Sequence, residues 1–238
     1  MEAGISPESN TKNRISRRPR RVWTEILASY GLILGVIWTP RPAQRILWWL
    51  AAAAVVFCTA ISFDGAAGMG LRAKNFIRSI WIIGVALAVS AAAILGAVRE
   101  HTLRIPPGAL AFLQSYFAYA LWACTQQFLL QSFFLQRFLR LLPAPWMAAL
   151  AAAGIFALAH LPNPILTPIT LAWGIASCLL FLRYRNLYTL AIAHAVLGIT
   201  VAITIPGYVD HNMRVGLGYL TYADSAAGLR HTAPLPQP

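Results

Sequence analysis

Residues 148–160 read AALAAAGIFALAH, and residues 51–58 read AAAAVVFC. A transmembrane β-strand alternates apolar and polar side chains, and neither run does so. The chain contains apolar stretches whose lengths approach the roughly 20 residues that cross a bilayer as a helix. They lie at 23–39, 46–63, 79–98, 108–134, 146–160, 165–182 and 187–205. The sequence therefore predicts an all-α, polytopic helical membrane protein with about seven transmembrane helices.

The composition of the 238 residues agrees with this prediction. Hydrophobic residues make up 58% of the chain, charged residues make up 11%, and the mean hydropathy is +0.62. A soluble globular domain carries about 25% charged residues. The composition therefore excludes an ordinary soluble domain, and we expect the lipid bilayer to be the main partner of its surface.

The two ends of the chain differ from the apolar middle. We expect residues 1–22 to form a basic, disordered arm, residues 23–205 a single transmembrane domain, and residues 206–238 a polar tail. A tail that folds back under the site as a lid is the less favoured alternative. Beside a span, the arm suits anionic lipid headgroups or the fixing of orientation better than DNA. No nucleic-acid partner is therefore expected.

Lys and Arg residues predict the orientation of the chain. With a cytoplasmic N-terminus, thirteen of the nineteen lie on the cytoplasmic side and six on the other side. Cytoplasmic loops of membrane proteins carry this excess. A cleaved signal peptide is disfavoured because Glu25 and Tyr30 interrupt the first apolar stretch. We therefore expect a multi-pass protein of the plasma membrane with its N-terminus in the cytoplasm.

Five polar side chains fall inside the predicted spans. They are Gln126, Gln127, Gln131, His160 and His194. An unpaired polar group in hydrocarbon costs several kcal/mol, so such side chains turn inward and bond to one another or to water. Gln127 and Gln131 are four residues apart and share one helix face. Polar groups from three segments that converge inside a membrane are a candidate functional site; the alternative is that they only hold the helices together.

These residues lie in three short motifs. Residues 126–131 read QQFLLQ, Phe156 is followed by His160 four residues later, and His194 is followed by Gly198. In this order they resemble the CAAX protease and bacteriocin-processing family of intramembrane glutamic endopeptidases, which includes the eukaryotic Ras-converting enzyme. That family carries Glu-Glu-x-x-x-Arg, Phe-x-x-x-His and His-x-x-x-Asn. The resemblance covers about residues 108–200.

The resemblance implies cleavage of a membrane-bound or prenylated peptide in a cavity within the membrane, without a cofactor. It places Gln126 at the glutamate that activates water, and Gln127 and Gln131 at the supporting Glu and Arg. His160 and His194 keep the places of the histidines that orient the water and hold the oxyanion. Phe156 and Gly198 then support the site.

The amides change the chemistry that the resemblance implies. A Gln side chain has essentially no basicity, and loss of a positioned base lowers a rate by about 10²–10⁴. No other acid is well placed, because all seven are expected at span ends or beyond; Glu25 is expected to interact with the N-terminus of the first helix. They are Glu2, Glu8, Glu25, Asp64, Glu100, Asp210 and Asp224. One hypothesis is an inactive relative that binds a peptide or lipid-linked partner; the other is an active endopeptidase with His160 or His194 as the base.

Three further kinds of site are less favoured. Cys124 beside the glutamines is a candidate nucleophile, but a Cys inside a span more often packs as a small apolar side chain. The other two cysteines, Cys58 and Cys178, also lie in predicted spans, so no disulfide is expected. A catalytic zinc needs three protein ligands, and a convincing third is missing, so no metal is expected. A transporter is expected to show repeated halves, which this sequence lacks.

Overall fold

The computed structural model describes residues 7–63 and 65–222, with side chains from Pro19 onward. The described part is built from helices and their connections, without a strand. In chain order the α-helices are α1 (Pro7–Trp38), α2 (Ala43–Ile61), α3 (Gly65–Gly68), α4 (Phe76–Ser79), α5 (Trp81–Arg99), α6 (Ala109–Gln127), α7 (Gln136–Leu141), α8 (Pro145–Leu158), α9 (Leu166–Tyr184), α10 (Leu187–Thr204), α11 (Gly207–Asp210) and α12 (Gly216–Leu220). The predicted all-α fold is confirmed.

Each predicted apolar stretch corresponds to one helix or one continuous run of helix. Within the described residues, five helices are long and apolar enough to cross a membrane: α1 from Pro19, α2, α5, α9 and α10. The shorter α8 is also apolar. The predicted stretch 108–134 contains α6 and most of a π-helix, Phe128–Leu135, that continues into α7. The chain is therefore a polytopic helical membrane protein, as predicted.

The π-helix is a feature that the apolar pattern did not indicate. A π-helical turn is wider than an α-helical turn, is rare, and occurs frequently at functional sites. It places Gln131 and five neighbouring side chains, from Leu130 to Leu135, in the buried interior. The segment that carries Gln131 is therefore the most completely buried part of the long helix from α6 to α7.

The alanine run 148–160 positions α8 tightly against α9. Ala148, Ala149, Ala152 and Ala153 are all buried, and a Cβ added to Gly174 of α9 would lie 3.0 Å from the Cβ of Ala153. Small side chains let transmembrane helices approach closely. The π-helix packs against α6, α8 and α9, α10 packs against α5, α6 and α9, and α1 packs against α2. The elements that carry the five polar residues therefore pack together.

Glu25 does not interact with a helix N-terminus, because α1 already begins at Pro7. The expectation from sequence is wrong for this residue. Its carboxylate is buried and accepts hydrogen bonds from Arg137 at 3.0 Å, from Arg21 at 2.9 Å and from Ser62 at 3.1 Å. Arg137 also donates to the carbonyls of Phe133 and Cys58, each at 3.0 Å. This buried ion pair joins α1, α7 and the end of α2.

The described part of the C-terminal region, residues 206–222, packs on the connection that follows α8. The N–H of Gly216 donates to the carbonyl of Leu161 at 2.8 Å. The side-chain amide of Asn163 donates to the carbonyls of Asp210 at 2.7 Å and Arg214 at 3.1 Å. We call residues 206–222 the cap segment.

The division of the chain into an arm, a transmembrane domain and a tail stays a prediction. Helical backbone begins at Pro7, within the arm for which composition predicts disorder. Residues 1–6, Asp64 and residues 223–238 lie outside the described residues, and with them Glu2 and Asp224.

Candidate functional site

Two of the three glutamines form a buried hydrogen-bonded chain with His194. Gln127 and Gln131 have no exposed surface. The Nε2 atom of Gln127 lies 3.0 Å from Nδ1 of His194. The Nε2 atom of Gln131 donates to Oε1 of Gln127 at 3.3 Å and to the hydroxyl of Ser177 at 3.0 Å. The convergence that the sequence predicted between the first and third motifs is therefore present as direct contact.

The direction of these bonds sets the proton position on His194. Oε1 of Gln127 accepts from Gln131, so the Gln127 amide presents its Nε2 donor to the imidazole. With the Gln127 amide assigned in this orientation, Nδ1 of His194 is the acceptor. A neutral imidazole carries its proton on one nitrogen only. His194 therefore carries its proton on Nε2, as a hydrogen-bond donor.

His160 has the opposite tautomer. It lies in the turn after α8, and its Nδ1 is 2.7 Å from the carbonyl oxygen of Phe156. Because a carbonyl only accepts, Nδ1 of His160 carries the proton and Nε2 is left as an acceptor. The ring of Phe156 lies 4.9 Å from that of His160 and 6.0 Å from that of His194, centroid to centroid. Phe156 therefore packs against both imidazoles.

A large cavity of about 1230 Å³ opens beside these groups, between α5, α6, α9 and α10. Gln126, His160, His194 and Gly198 all line it, whereas Gln127 and Gln131 lie behind its wall. Among the described residues that line it, Arg104 is the only Lys, Arg, Asp or Glu. The cavity wall near the motifs is therefore polar without a formal charge or a carboxylate.

A second cavity of about 390 Å³ lies between α1, α2, the π-helix and α8. Its lining is almost entirely apolar and aromatic, including Ile33, Val55 and Leu130. Among the described residues, three line both cavities: Trp122, Gln126 and His160. Gln126 and His160 thus stand where a large cavity with polar groups meets a smaller apolar one.

Gly198 has a neighbour that sequence reasoning missed. A Cβ at this position would overlap the hydroxyl oxygen of Tyr119 and lie 2.6 Å from its Cζ atom. The room beside Gly198 is therefore taken by a side chain of α6. Tyr119 precedes Gln126 by seven residues, which is two helical turns, so the shared face was a signal available in the sequence.

Two residues of α9 also belong to the site and were not singled out from sequence. Trp173 lines the large cavity, with its ring centroid 6.0 Å from that of His194. Ser177, one turn further, accepts the hydrogen bond from Gln131. Both lie on α9, which carries none of the three motifs. Their position at the site therefore follows only from how the helices pack.

The less favoured kinds of site find little support in the geometry. Cys124 lines neither cavity, and the three cysteines are free. Within the part of the chain that the structure describes, no three His, Cys, Asp or Glu residues lie close enough together to hold a metal ion. The chemistry available at the site is that of neutral imidazoles, amides and hydroxyls.

Comparison with known proteins gives one match. Residues 108–200 match the family described as type II CAAX prenyl endopeptidase Rce1-like. No curated protein and no solved structure matches the chain. The matched segment contains all three motifs, and it runs from the start of α6 into α10. The resemblance drawn from the motifs is confirmed.

Proposed function

We propose that this chain, whose residues 108–200 match the Rce1-like CAAX protease family, binds a membrane-bound or lipidated peptide without hydrolysing it by glutamate chemistry. The observation that carries the proposal is the wall of the large cavity, whose described lining residues include no Asp or Glu. The place of the catalytic glutamate is held by Gln126. An amide cannot take a proton from water near neutral pH.

The remaining groups suit binding. The Nε2–H of His194 and the amide of Gln126 are donors for a peptide carbonyl. The rest of the large cavity is mostly apolar, with side chains such as Val89, Ile169 and Leu197, and suits apolar peptide side chains. The smaller apolar cavity adjoins Gln126 and offers room for part of a lipid chain. In this proposal the lipidated peptide enters the cavities from the bilayer.

A second candidate function is hydrolysis with His160 as the base. The bond from its Nδ1–H to Phe156 leaves Nε2 free to accept a proton from water. The hydroxide oxygen then bonds to the peptide carbonyl carbon, and His194 Nε2–H stabilises the oxyanion. His160 finally returns the proton to the leaving amine as the peptide bond breaks. His194 is the poorer base because its Nδ1 already accepts from Gln127.

The proposal includes the location of the chain. It places the protein in the plasma membrane with a cytoplasmic N-terminus, on the support of the Lys and Arg distribution. On that orientation, α1 runs outward from the cytoplasm and α10 ends on the far side.

Binding and cleavage are separated in one experiment on the full chain in lipid nanodiscs. The probe is a fluorescein-labelled peptide ending in a farnesylated cysteine followed by three residues. Fluorescence anisotropy measures binding, and mass spectrometry measures cleavage. We expect wild type and His160→Ala to leave the peptide intact and wild type to bind it. The matched control is His101→Ala, an exposed histidine that lines neither cavity.

Cleavage by wild type that is lost in His160→Ala and kept in His101→Ala would replace the proposal with the second candidate. Failure of wild type to bind would contradict the proposal for this class of peptide.

In the native host, new protein termini are compared between wild type, His160→Ala and Gln126→Glu/Gln127→Glu. The proposal predicts no difference between wild type and His160→Ala.

A further inference from the structure

Tyr119 fills the space that a side chain at position 198 would occupy. Gly198 follows His194 by one turn of α10, and both line the large cavity. A Cβ on Gly198 would overlap the Tyr119 hydroxyl and would lie 2.8 Å from Cε1 of the ring. Glycine is therefore required here by the phenol group, and the phenol group brings its hydroxyl next to the backbone of α10.

The Tyr119 hydroxyl is a donor without a protein acceptor. Among the described residues it makes no hydrogen bond, although the side chain is partly buried and lines the cavity. A buried Tyr hydroxyl usually has a hydrogen-bond partner. The hydroxyl of Tyr30, which is also partly buried, follows this rule and donates to the carbonyl of Ile155. The unused donor of Tyr119 therefore points to an occupant of the cavity.

The spacing of two donors fits one kind of occupant. Residues 194 and 198 are separated by about 6 Å along the axis of α10. In an extended peptide, carbonyls on the same side are two residues apart, or about 6.7 Å. The backbone positions 194 and 198, beside which the two donors lie, thus have nearly the spacing of two successive carbonyls on one edge of an extended chain.

We propose that the Tyr119 hydroxyl donates a hydrogen bond to a carbonyl of a peptide that lies extended along α10, two residues from the carbonyl held by His194. This inference rests on the proposed peptide binding and deepens it by assigning the conformation of the bound peptide. Tyr119 is a binding residue in this account, and its action requires only the hydroxyl.

The test uses the farnesylated peptide and a set of analogues, each with one amide replaced by an E-alkene that lacks the carbonyl. With the wild-type chain in nanodiscs, two analogues with replacements two residues apart should bind about tenfold more weakly than the parent. Tyr119→Phe should bind the parent about tenfold more weakly. In Tyr119→Phe, one of those two analogues should bind as tightly as the parent peptide, and the other should still bind more weakly than the parent.

The control is Tyr208→Phe, at an exposed position of the cap segment that lines neither cavity. It should change binding less than twofold. A second variant, Gly198→Ala, should displace the hydroxyl and remove the same discrimination as Tyr119→Phe. Tyr119→Ala/Gly198→Asn should recover binding to within about threefold of wild type, because an amide donor replaces the hydroxyl.

The outcomes separate the two proposals. If wild type does not bind the parent peptide, the proposed function fails and this inference fails with it. If wild type binds but Tyr119→Phe keeps full discrimination against every analogue, this inference alone is overturned. Equal losses in Tyr208→Phe and Tyr119→Phe also overturn it, because the effect then does not depend on a hydroxyl in the cavity.

Discussion

Gln126 and Gln127 are adjacent in the sequence but lie in different surroundings. Gln126 lines both cavities, and Gln127 is fully buried between Gln131 and His194. Replacement of Gln127 by Leu leaves Nδ1 of His194 without a donor and Nε2 of Gln131 with one acceptor fewer. We expect this to lower the free energy of unfolding by about 2 kcal/mol. Unfolding in detergent micelles, followed by circular dichroism, measures the change.

Gln126→Leu is the matched control, because it makes the same chemical change one residue away. It should lower the free energy of unfolding by less than about 0.5 kcal/mol, since no described residue loses a hydrogen-bond partner. Equal losses in the two variants would contradict the separation of a structural Gln127 from a cavity-facing Gln126.

The polar residues of the site could be predicted from the sequence, but their pairing could not. The helical spacing of Gln127 and Gln131 predicted a shared face, and these two side chains are bonded. The contact between Gln127 and His194 joins residues 67 apart, so it depends on how α6 packs against α10. The contact of Tyr119 with Gly198 could not be predicted for the same reason, although the helix face that Tyr119 shares with Gln126 could.

The helical elements on the α1 side are held together by the ion pair between Glu25 and Arg137. Both side chains are buried, so removal of Arg137 leaves the buried Glu25 carboxylate with the exposed Arg21 as its remaining cationic partner. We expect Arg137→Met to lower the free energy of unfolding by about 3 kcal/mol. The double variant Glu25→Leu/Arg137→Met should recover to within about 1 kcal/mol of wild type, because no unpaired charge remains.

Chemical unfolding of the two single variants, the double variant and wild type gives the coupling energy directly. Arg99→Met, at an exposed position in the last turn of α5, is the control and should have little effect. If the double variant is as unstable as Arg137→Met, the loss comes from packing and not from the loss of the buried partner of the Glu25 carboxylate.

The cap segment carries a second prediction at this scale. Asp210 is buried, and its Oδ1 accepts from the N–H of Asn212 at 3.0 Å, whereas Oδ2 has no partner among the described residues. Burial raises the pKa of this carboxyl above its usual value. The unfolded chain therefore loses the proton at lower pH than the folded chain. The stabilising contribution of the protonated form is complete below about pH 3.9 and is lost as pH rises through the folded pKa.

We therefore expect Asp210→Asn to be more stable than wild type at pH 7, with the difference disappearing towards pH 4. The rate at which a protease cuts the cap segment, measured from pH 4 to pH 7, reports its local stability. Glu100→Gln, an exposed acid, is the control and should leave the pH profile unchanged. A wild-type cap segment that becomes more resistant as pH rises would contradict the sign of this prediction.

At the scale of elements, apolar length predicted where the long helices lie, but not how they end or bend. The predicted stretch 79–98 corresponds to α5, and 187–205 corresponds to α10. The π-helix was not predicted because its residues are as apolar as those of an α-helix, and periodicity does not separate the two. The cap segment was expected to be a tail because its contacts with Leu161 and Asn163 are long-range.

Across the whole molecule, the large cavity is lined both by motif residues and by connections between helices. Its lining includes Gln126 and His160 together with Arg104, Pro106 and Met213. The latter three lie in connections that follow α5 and α11. If the N-terminus is cytoplasmic, successive helices alternate in direction, and these connections face the non-cytoplasmic side. The fold and the charge distribution together then predict the side from which the cavity is reached.

Cysteine accessibility tests this prediction in cells, in a background where Cys58, Cys124 and Cys178 are replaced. A membrane-impermeant maleimide should label Ser115→Cys, which lines the cavity, in intact cells, because water reaches the cavity from outside. Lys74→Cys, exposed at the opposite end of the bundle, should be labelled only in inverted vesicles. The reverse pattern would contradict the cytoplasmic N-terminus. Labelling of Lys74→Cys alone would leave the orientation intact and contradict the opening of the cavity, because the two positions report separate properties of the molecule.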